Sequence, residues 1–285
     1  MILIDEPMSK HTTFGVGGPA DVYIAPSSAE ELAQVVKACR KLGVPYFILG
    51  RGSDLLVSDA GYRGVMIATE GLAGMEADGC DLVCESGVTL KDAAYKACEL
   101  GLAGLEFASG IPGSVGGACF MNAGAYDGCM ADVLLSVDVL TPEGSVQTLD
   151  VDELELGYRA SRIRNEGLVV LKARMRLTPG DSQGIREKIE DLTRRREEKQ
   201  PLEYGSAGST FKRPEGYFAG KLIMDSGLKG YTVGGASVSQ KHAGFVINKG
   251  DATASDVRAV IAHVQDEVER QFGVRLETEV LFIGW

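Results

Sequence analysis

Leu32, Val35, Val36 and Cys39 recur at the spacing of one helical face, and the polar run Ser27-Ser28-Ala29-Glu30-Glu31 stands just before them. Ser28 and Glu31 have capping-box spacing, and Gly43 ends the pattern, so a helix is predicted between them. Asp21–Ala25 before it and Pro45–Leu49 after it read as strands, the second as buried. Leu55–Val57 and Val65–Ala68 follow, giving a β-α-β-β opening. Leu82–Glu85 is a strand and Thr89 caps a helix to about Leu100. Val133–Leu140 and Ser145–Leu149 flank Pro142-Glu143-Gly144 as a hairpin. Leu168–Leu177 is a long strand. Ile185–Lys199 is a charged helix stopped by Pro201, and the alternating signs of Thr193–Lys199 mark a solvated face. Beyond Pro201 come glycine-rich loops and a short helix at Tyr217–Met224. An amphipathic helix follows at Thr253–Phe272, with Val257, Val260, Ile261, Val264 and Val268 on one face, then a closing strand at Arg275–Ile283. Texture changes place boundaries near 70 and 200, and no internal repeat is visible.

A chain of 285 residues, 45% hydrophobic and 24% charged, has room for about two domains and a substantial core. Its net charge of −11 argues against a nucleic-acid or anionic-membrane partner, while leaving room for a local basic pocket. No apolar run reaches the ~18 residues of a spanning helix. Met1–Glu6 lacks the basic start of a signal peptide, so a cytoplasmic protein with reduced thiols is expected. The six cysteines are too scattered for a disulfide framework. Cys80, Cys84 and Cys98 lie far in sequence from His11, His242 and His263, so no metal site is expected.

Glycine changes the picture. The chain has 37, clustered at 15–18, 50–52, 110–117, 124–128, 205–208 and 227–235. Such clusters serve tight turns or a close approach to a ligand, and several in one chain point to a large phosphate-bearing ligand held by main-chain N–H groups. Gly50-Arg51-Gly52-Ser53 follows a strand, but Leu55 stands at the third glycine position and the next element is another strand, so this is no Rossmann loop. Ser109-Gly110-Ile111-Pro112-Gly113-Ser114-Val115-Gly116-Gly117 reads as a second loop that can turn N–H groups inward as an anion nest. Together the two can grip the phosphates of one flavin adenine dinucleotide.

Seven ordered strings then carry a resemblance: His11–Asp21, Leu49–Ser53, Ser109–Tyr126, Tyr158-Arg159-Ala160-Ser161, Gly208-Ser209-Thr210-Phe211-Lys212, Lys241–Phe245 and Leu276-Glu277-Thr278-Glu279-Val280. The chain resembles the UDP-N-acetylenolpyruvoylglucosamine reductase family over nearly its whole length, in the shorter class without the extra substrate-capping loop. The resemblance implies an α+β fold. A two-lobed FAD-binding domain of the vanillyl-alcohol-oxidase/PCMH type is expected at 1–70 and 71–199. A C-terminal α+β substrate domain is expected at 200–285, with the last strand able to pack back toward the FAD domain. It implies FAD as bound cofactor and NADPH as co-substrate. The implied reaction is reduction of an enolpyruvyl UDP-sugar to UDP-N-acetylmuramate for peptidoglycan, and only small-molecule partners, with no fixed oligomeric state and a monomer compatible, are expected.

The implied cofactor contacts are Gly50, Arg51, Gly52, Ser53, Asp54 and Leu55 in the first loop. Ser109, Gly110, Pro112, Gly113, Ser114, Gly116, Gly117, Asn122, Ala123 and Gly124 supply the rest. Hydride addition to an enolpyruvyl group leaves carbanion character beside a carboxylate, which calls for a proton donor and for groups that stabilise the developing charge. Ser209 is the implied donor. Arg159 offers a guanidinium to the carboxylate, and Glu279 assists, with Glu277 on the same strand parity as its rival. Tyr158, Lys212, Arg213 and Lys221 are the implied diphosphate or uridine contacts. Read alone, Ser209 is a loop hydroxyl, Arg159 a surface ion-pair partner, Glu279 an exposed carboxylate and His242 a satisfied loop histidine. The chain departs from the family pattern at Asp54, Arg213 and Met224. Two rival readings are a different flavin oxidoreductase on the same scaffold and a non-catalytic sugar-nucleotide-binding paralogue.

Overall fold

Ser28 opens the first helix, Ala29–Leu42, by accepting a hydrogen bond from Glu31 N at 3.2 Å. Glu31 reaches one residue further back than a capping box, to Ser27 N and Oγ at 2.8 Å. Thr89 and Thr253 cap the helices Leu90–Glu99 and Ala254–Phe272 in the same way, and Gly43 and Gly273 end theirs in the left-handed conformation. The computed structural model describes all residues from Met1 to Trp285 as an α+β fold of two compact units. No helix is long and apolar enough to cross a membrane.

The first unit holds residues 1–3, 23–51 and 64–196. Its centre is a five-stranded antiparallel sheet in the order Val146–Asp150, Leu134–Leu140, Val169–Arg176, Asp81–Glu85, Met75–Asp78. The predicted hairpin is there, with Leu140 opposite Val146. The core joins the sheet's inner face (Leu82, Val137, Val139, Ala173, Met175) to Leu90, Ala94, Val115 and Cys119 from two helices. One of those helices, Val115–Met121, replaces the expected loop, and it lies against Val169–Arg176. Tyr46–Leu49 pairs in parallel with Val65–Ala68. Of its residues only Leu49 is buried, so the expectation of a buried strand fails for Tyr46, Phe47 and Ile48.

The second unit gathers residues 4–22, 52–63 and 197–285. Ala254–Phe272 packs Val257, Val260, Ile261, Val264 and Val268 against a small antiparallel sheet of Thr232–Val233, Ala236–Val238 and Val246–Asn248. Phe14, Val16 and Leu56 complete that core. The closing strand is shorter than expected: Leu281–Ile283 pairs in parallel with Leu55–Val57, and Thr278 makes only an isolated bridge to Phe211.

Asp81, 6% exposed at the start of its strand, accepts from Arg174 at 3.1 Å and from Arg176 at 3.0 Å. The Arg176 hydrogen bond, opposed by burial and joined by Arg174, holds its carboxyl down at about 2. An unfolded aspartate titrates near ~3.9. The depressed group therefore stabilises the fold fully above about pH 4 and loses that contribution as pH falls through about 2. Urea midpoints of wild type and Asp81→Asn should differ by a constant amount above pH 4 and converge below it. A gap independent of pH overturns the assignment.

Candidate active site

In the first unit the two glycine loops meet at Gly50. A Cβ there would lie 2.6 Å from Ser114 Oγ, so any side chain would have to displace that hydroxyl. The second loop uses several of its amides internally. Val115 N donates to Val88 O (2.8 Å), Gly116 N to Ser86 O (2.9 Å) and Gly117 N to Ser114 Oγ (3.3 Å). The N–H groups of Gly110, Gly113 and Ser114 have no acceptor within this unit, and the buried Ser86 hydroxyl has no hydrogen-bond partner. Unfilled donors beside a close glycine contact are what a phosphate-bearing cofactor fits.

Asn122 follows this helix with φ 44°. Its Nδ2 donates to Gly157 O at 3.0 Å and its Oδ1 accepts from Ala131 N at 3.0 Å. That side chain is thus committed to positioning the turn Gly157–Ala160. At the turn's tip Arg159 takes a left-handed φ of 54°, a strained conformation for an arginine. Arg164 Nη1 donates to its carbonyl at 3.2 Å, and its guanidinium lies 5.1 Å from the Tyr158 ring centroid. Ser161, fully buried, donates to Phe120 O at 2.7 Å and caps the helical turn Arg162–Asn165. The motif around Arg159 is a braced turn carrying one cation.

In the second unit Thr210 fixes the exposed Ser209. Thr210 N donates to Gly244 O (2.9 Å), and its Oγ1 accepts from Val246 N (3.0 Å). Glu279 N donates to Thr210 O at 2.9 Å and Lys212 N to Glu277 O at 2.9 Å, so the Ser209 loop runs beside the Glu277–Glu279 segment. The two glutamates diverge in surroundings. Glu277 is exposed and paired with Lys212 Nζ at 3.1 Å, whereas Glu279 is half-buried. Lys221 pairs with Asp225 at 2.7 Å, and Arg213 stacks on the exposed Phe218 ring at 3.9 Å. His242 Nδ1 accepts from Gly244 N at 3.2 Å, and burial pushes its pKa down, so it is a neutral structural histidine.

Gly52, Ser53, Asp54 and Leu55 belong to the second unit, where the His11–Gly18 string braces them. Thr13 N donates to Gly52 O at 3.1 Å, and a Cβ on Gly52 would fall 2.0 Å from His11 O. Asp54 O accepts from Leu281 N at 2.9 Å. Sequence reasoning had no signal for this brace, which is made by main-chain atoms.

It also missed Arg196. Arg194 and Arg195 pair with Asp191 on an exposed face, as the charge pattern predicts. Arg196 departs from that pattern: it is half-buried, and burial lowers its pKa. All six cysteines are free, and burial pushes the Cys84 and Cys119 thiols up to about 12, so neither is a thiolate at neutral pH. No three His, Cys, Asp or Glu side chains gather as metal ligands.

Residues 200–283 match the C-terminal domain of UDP-N-acetylenolpyruvoylglucosamine reductase, and residues 20–150 match an FAD binding domain. A UDP-N-acetylenolpyruvoylglucosamine reductase of Clostridium perfringens is 56% identical over 99% of this chain and 93% of its own length. One from Clostridium kluyveri is 53% identical over the same shares. The crystal structure of a UDP-N-acetylenolpyruvylglucosamine reductase from Thermus caldophilus superposes with a TM-score of 0.85. It is 35% identical, with 99% of this chain and 98% of that chain covered.

Proposed function

Since the chain belongs to the UDP-N-acetylenolpyruvoylglucosamine reductase family and carries its FAD-binding domain, we propose that it reduces the enolpyruvyl ether of UDP-N-acetylglucosamine to the lactyl ether with NADPH. The product, UDP-N-acetylmuramate, would serve peptidoglycan synthesis, and the cytoplasm is the compartment this reading requires. The supporting observation is the seating of the Ser209 loop directly beside the Glu279 segment through Glu279 N and Thr210 O.

FAD, when bound, supplies two-electron hydride transfer between NADPH and the alkene. The residues that would hold it are Gly50–Leu55, Ser109, Gly110, Pro112, Gly113, Ser114, Ala123 and Gly124, from the expected lobes 1–70 and 71–199, while Gly116, Gly117 and Asn122, whose amides are taken within the fold, would shape the surface around it. The sugar nucleotide falls to 200–285, with Lys212, Arg213 and Lys221 on its diphosphate or uridine and Tyr158 assisting. Arg159, at the tip of its left-handed turn, holds the enolpyruvyl carboxylate. Hydride adds to the terminal carbon and the C=C π pair moves onto the carbon bearing the carboxylate. Ser209 Oγ gives its proton to that carbon and is reprotonated from solvent. Glu279 hydrogen-bonds the developing charge or positions the hydroxyl. Glu277, spent on Lys212, takes no part.

Purified protein should be yellow. Anaerobic NADPH should bleach the flavin band, and the enolpyruvyl sugar nucleotide alone should restore it. Failure to take up FAD overturns the reading. Bleaching without restoration favours a different flavin oxidoreductase, and binding of the UDP-sugar without turnover favours a non-catalytic relative.

A further inference from the structure

We propose that Arg196 receives an anionic group of the bound flavin nucleotide, either the diphosphate or the N1–C2=O edge of the reduced ring. The inference rests on the assignment of the glycine loops to FAD. Arg196 lies in the last turn of the helix Ser182–Lys199. Arg194 and Arg195 turn to Asp191 in solvent, but Arg196 turns inward and meets no carboxylate or carbonyl at hydrogen-bonding distance.

Both neighbouring segments are ones given to the cofactor. A Cβ on Gly110 would lie 3.1 Å from Arg196 Cδ and 3.4 Å from Nη1, so the side chain packs directly on the loop's first glycine. On the other side Tyr126, just past Gly124, donates its hydroxyl to Leu192 O at 2.8 Å, one helical turn before Arg196. Gly110 N–H has no acceptor within the unit. A guanidinium cannot discharge by losing its proton, and removing it from water without a counter-ion is costly. A fold that keeps one there, between two loops with a vacant donor, supplies half of an ion pair. The forked donors suit either a phosphate or the N1–C2=O edge.

The test compares wild type, Arg196→Met, Arg196→Lys and Arg195→Met. FAD dissociation constants are measured on apoprotein at low and high salt, and midpoint potentials by dye equilibration. If the group is the diphosphate, Arg196→Met weakens FAD about tenfold or more and flattens its salt dependence, and Arg196→Lys recovers part of the loss. If it is the reduced ring, oxidised FAD binds nearly unchanged while the reduced form is held about tenfold less tightly. The midpoint then falls by about 30 mV for a two-electron couple. Arg195→Met, one residue away on the solvated face, changes neither. Wild-type affinity and potential in Arg196→Met, with FAD still bound, overturn the role of Arg196 alone. Wild-type protein that binds no FAD overturns the loop assignment with it. Apoprotein melting curves separate loss of binding from loss of fold.

Discussion

In Ser209→Ala, NADPH should bleach the flavin at the wild-type rate while reoxidation by the enolpyruvyl substrate slows by about a thousandfold, the middle of the range for a positioned proton donor. The split between half-reactions is what the placement of Ser209 dictates. The hydroxyl lies on a loop anchored through Thr210, so its removal disturbs no hydrogen bond of Thr210 to Gly244 or Val246. Stopped-flow absorbance under anaerobic conditions reads the two steps separately. Equal slowing of both, or of neither, removes Ser209 from the chemistry. The glutamates provide an internal control. Glu277→Gln, which breaks only an exposed ion pair with Lys212, should leave reoxidation within about twofold. Glu279→Gln should slow it by about a hundredfold, at the low end of such effects.

Gly52→Ala should cost on the order of 3 kcal/mol or more and yield colourless protein. Two penalties add at that position. A φ of +61° strains any L side chain, and the new methyl carbon would fall 2.0 Å from the His11 carbonyl oxygen, a main-chain atom that cannot swing away. Gly79 separates the two. It has the same φ of +61° but nothing within 4 Å, so Gly79→Ala should cost only about 1 to 2 kcal/mol. Denaturant titration of both variants, with flavin absorbance after reconstitution, checks the pair. If they lose equal stability, the His11–Gly18 string does not brace the loop.

Most of the helices were legible because capping chemistry is local. Ser28, Thr89 and Thr253 each accept from the amide three residues on, as their spacing implies. Val115–Met121 was not, because Gly116 and Gly117 fill its first turn, and glycine is a poor helix former that tertiary contacts overrode here. Met75–Asp78 is a mostly exposed edge strand with little apolar alternation, and the sheet at 232–248 is built of strands of two or three residues, too short for a period to register.

The site divides along similar lines. The motifs around Arg159, Ser209 and Glu279 were readable as ordered strings, since side-chain chemistry is written in the sequence. The brace on Gly52 and the vacant amides of Gly110, Gly113 and Ser114 are main-chain features, which residue identity does not encode. Arg196 was misread because alternating charge looks the same whether a helix shows that residue to water or to its own protein.

The strand Leu55–Val57 has a consequence for synthesis in the cell. Its only ladder partner is Leu281–Ile283, and Trp285 Nε1 reaches Leu56 O at 3.4 Å across 229 positions. On the ribosome this wholly buried apolar segment must therefore wait until Leu281–Ile283 has been made before it is covered. At ~5–20 residues per second that is roughly 10 to 45 s of exposure, an interval in which a chaperone or an aggregation partner competes for it.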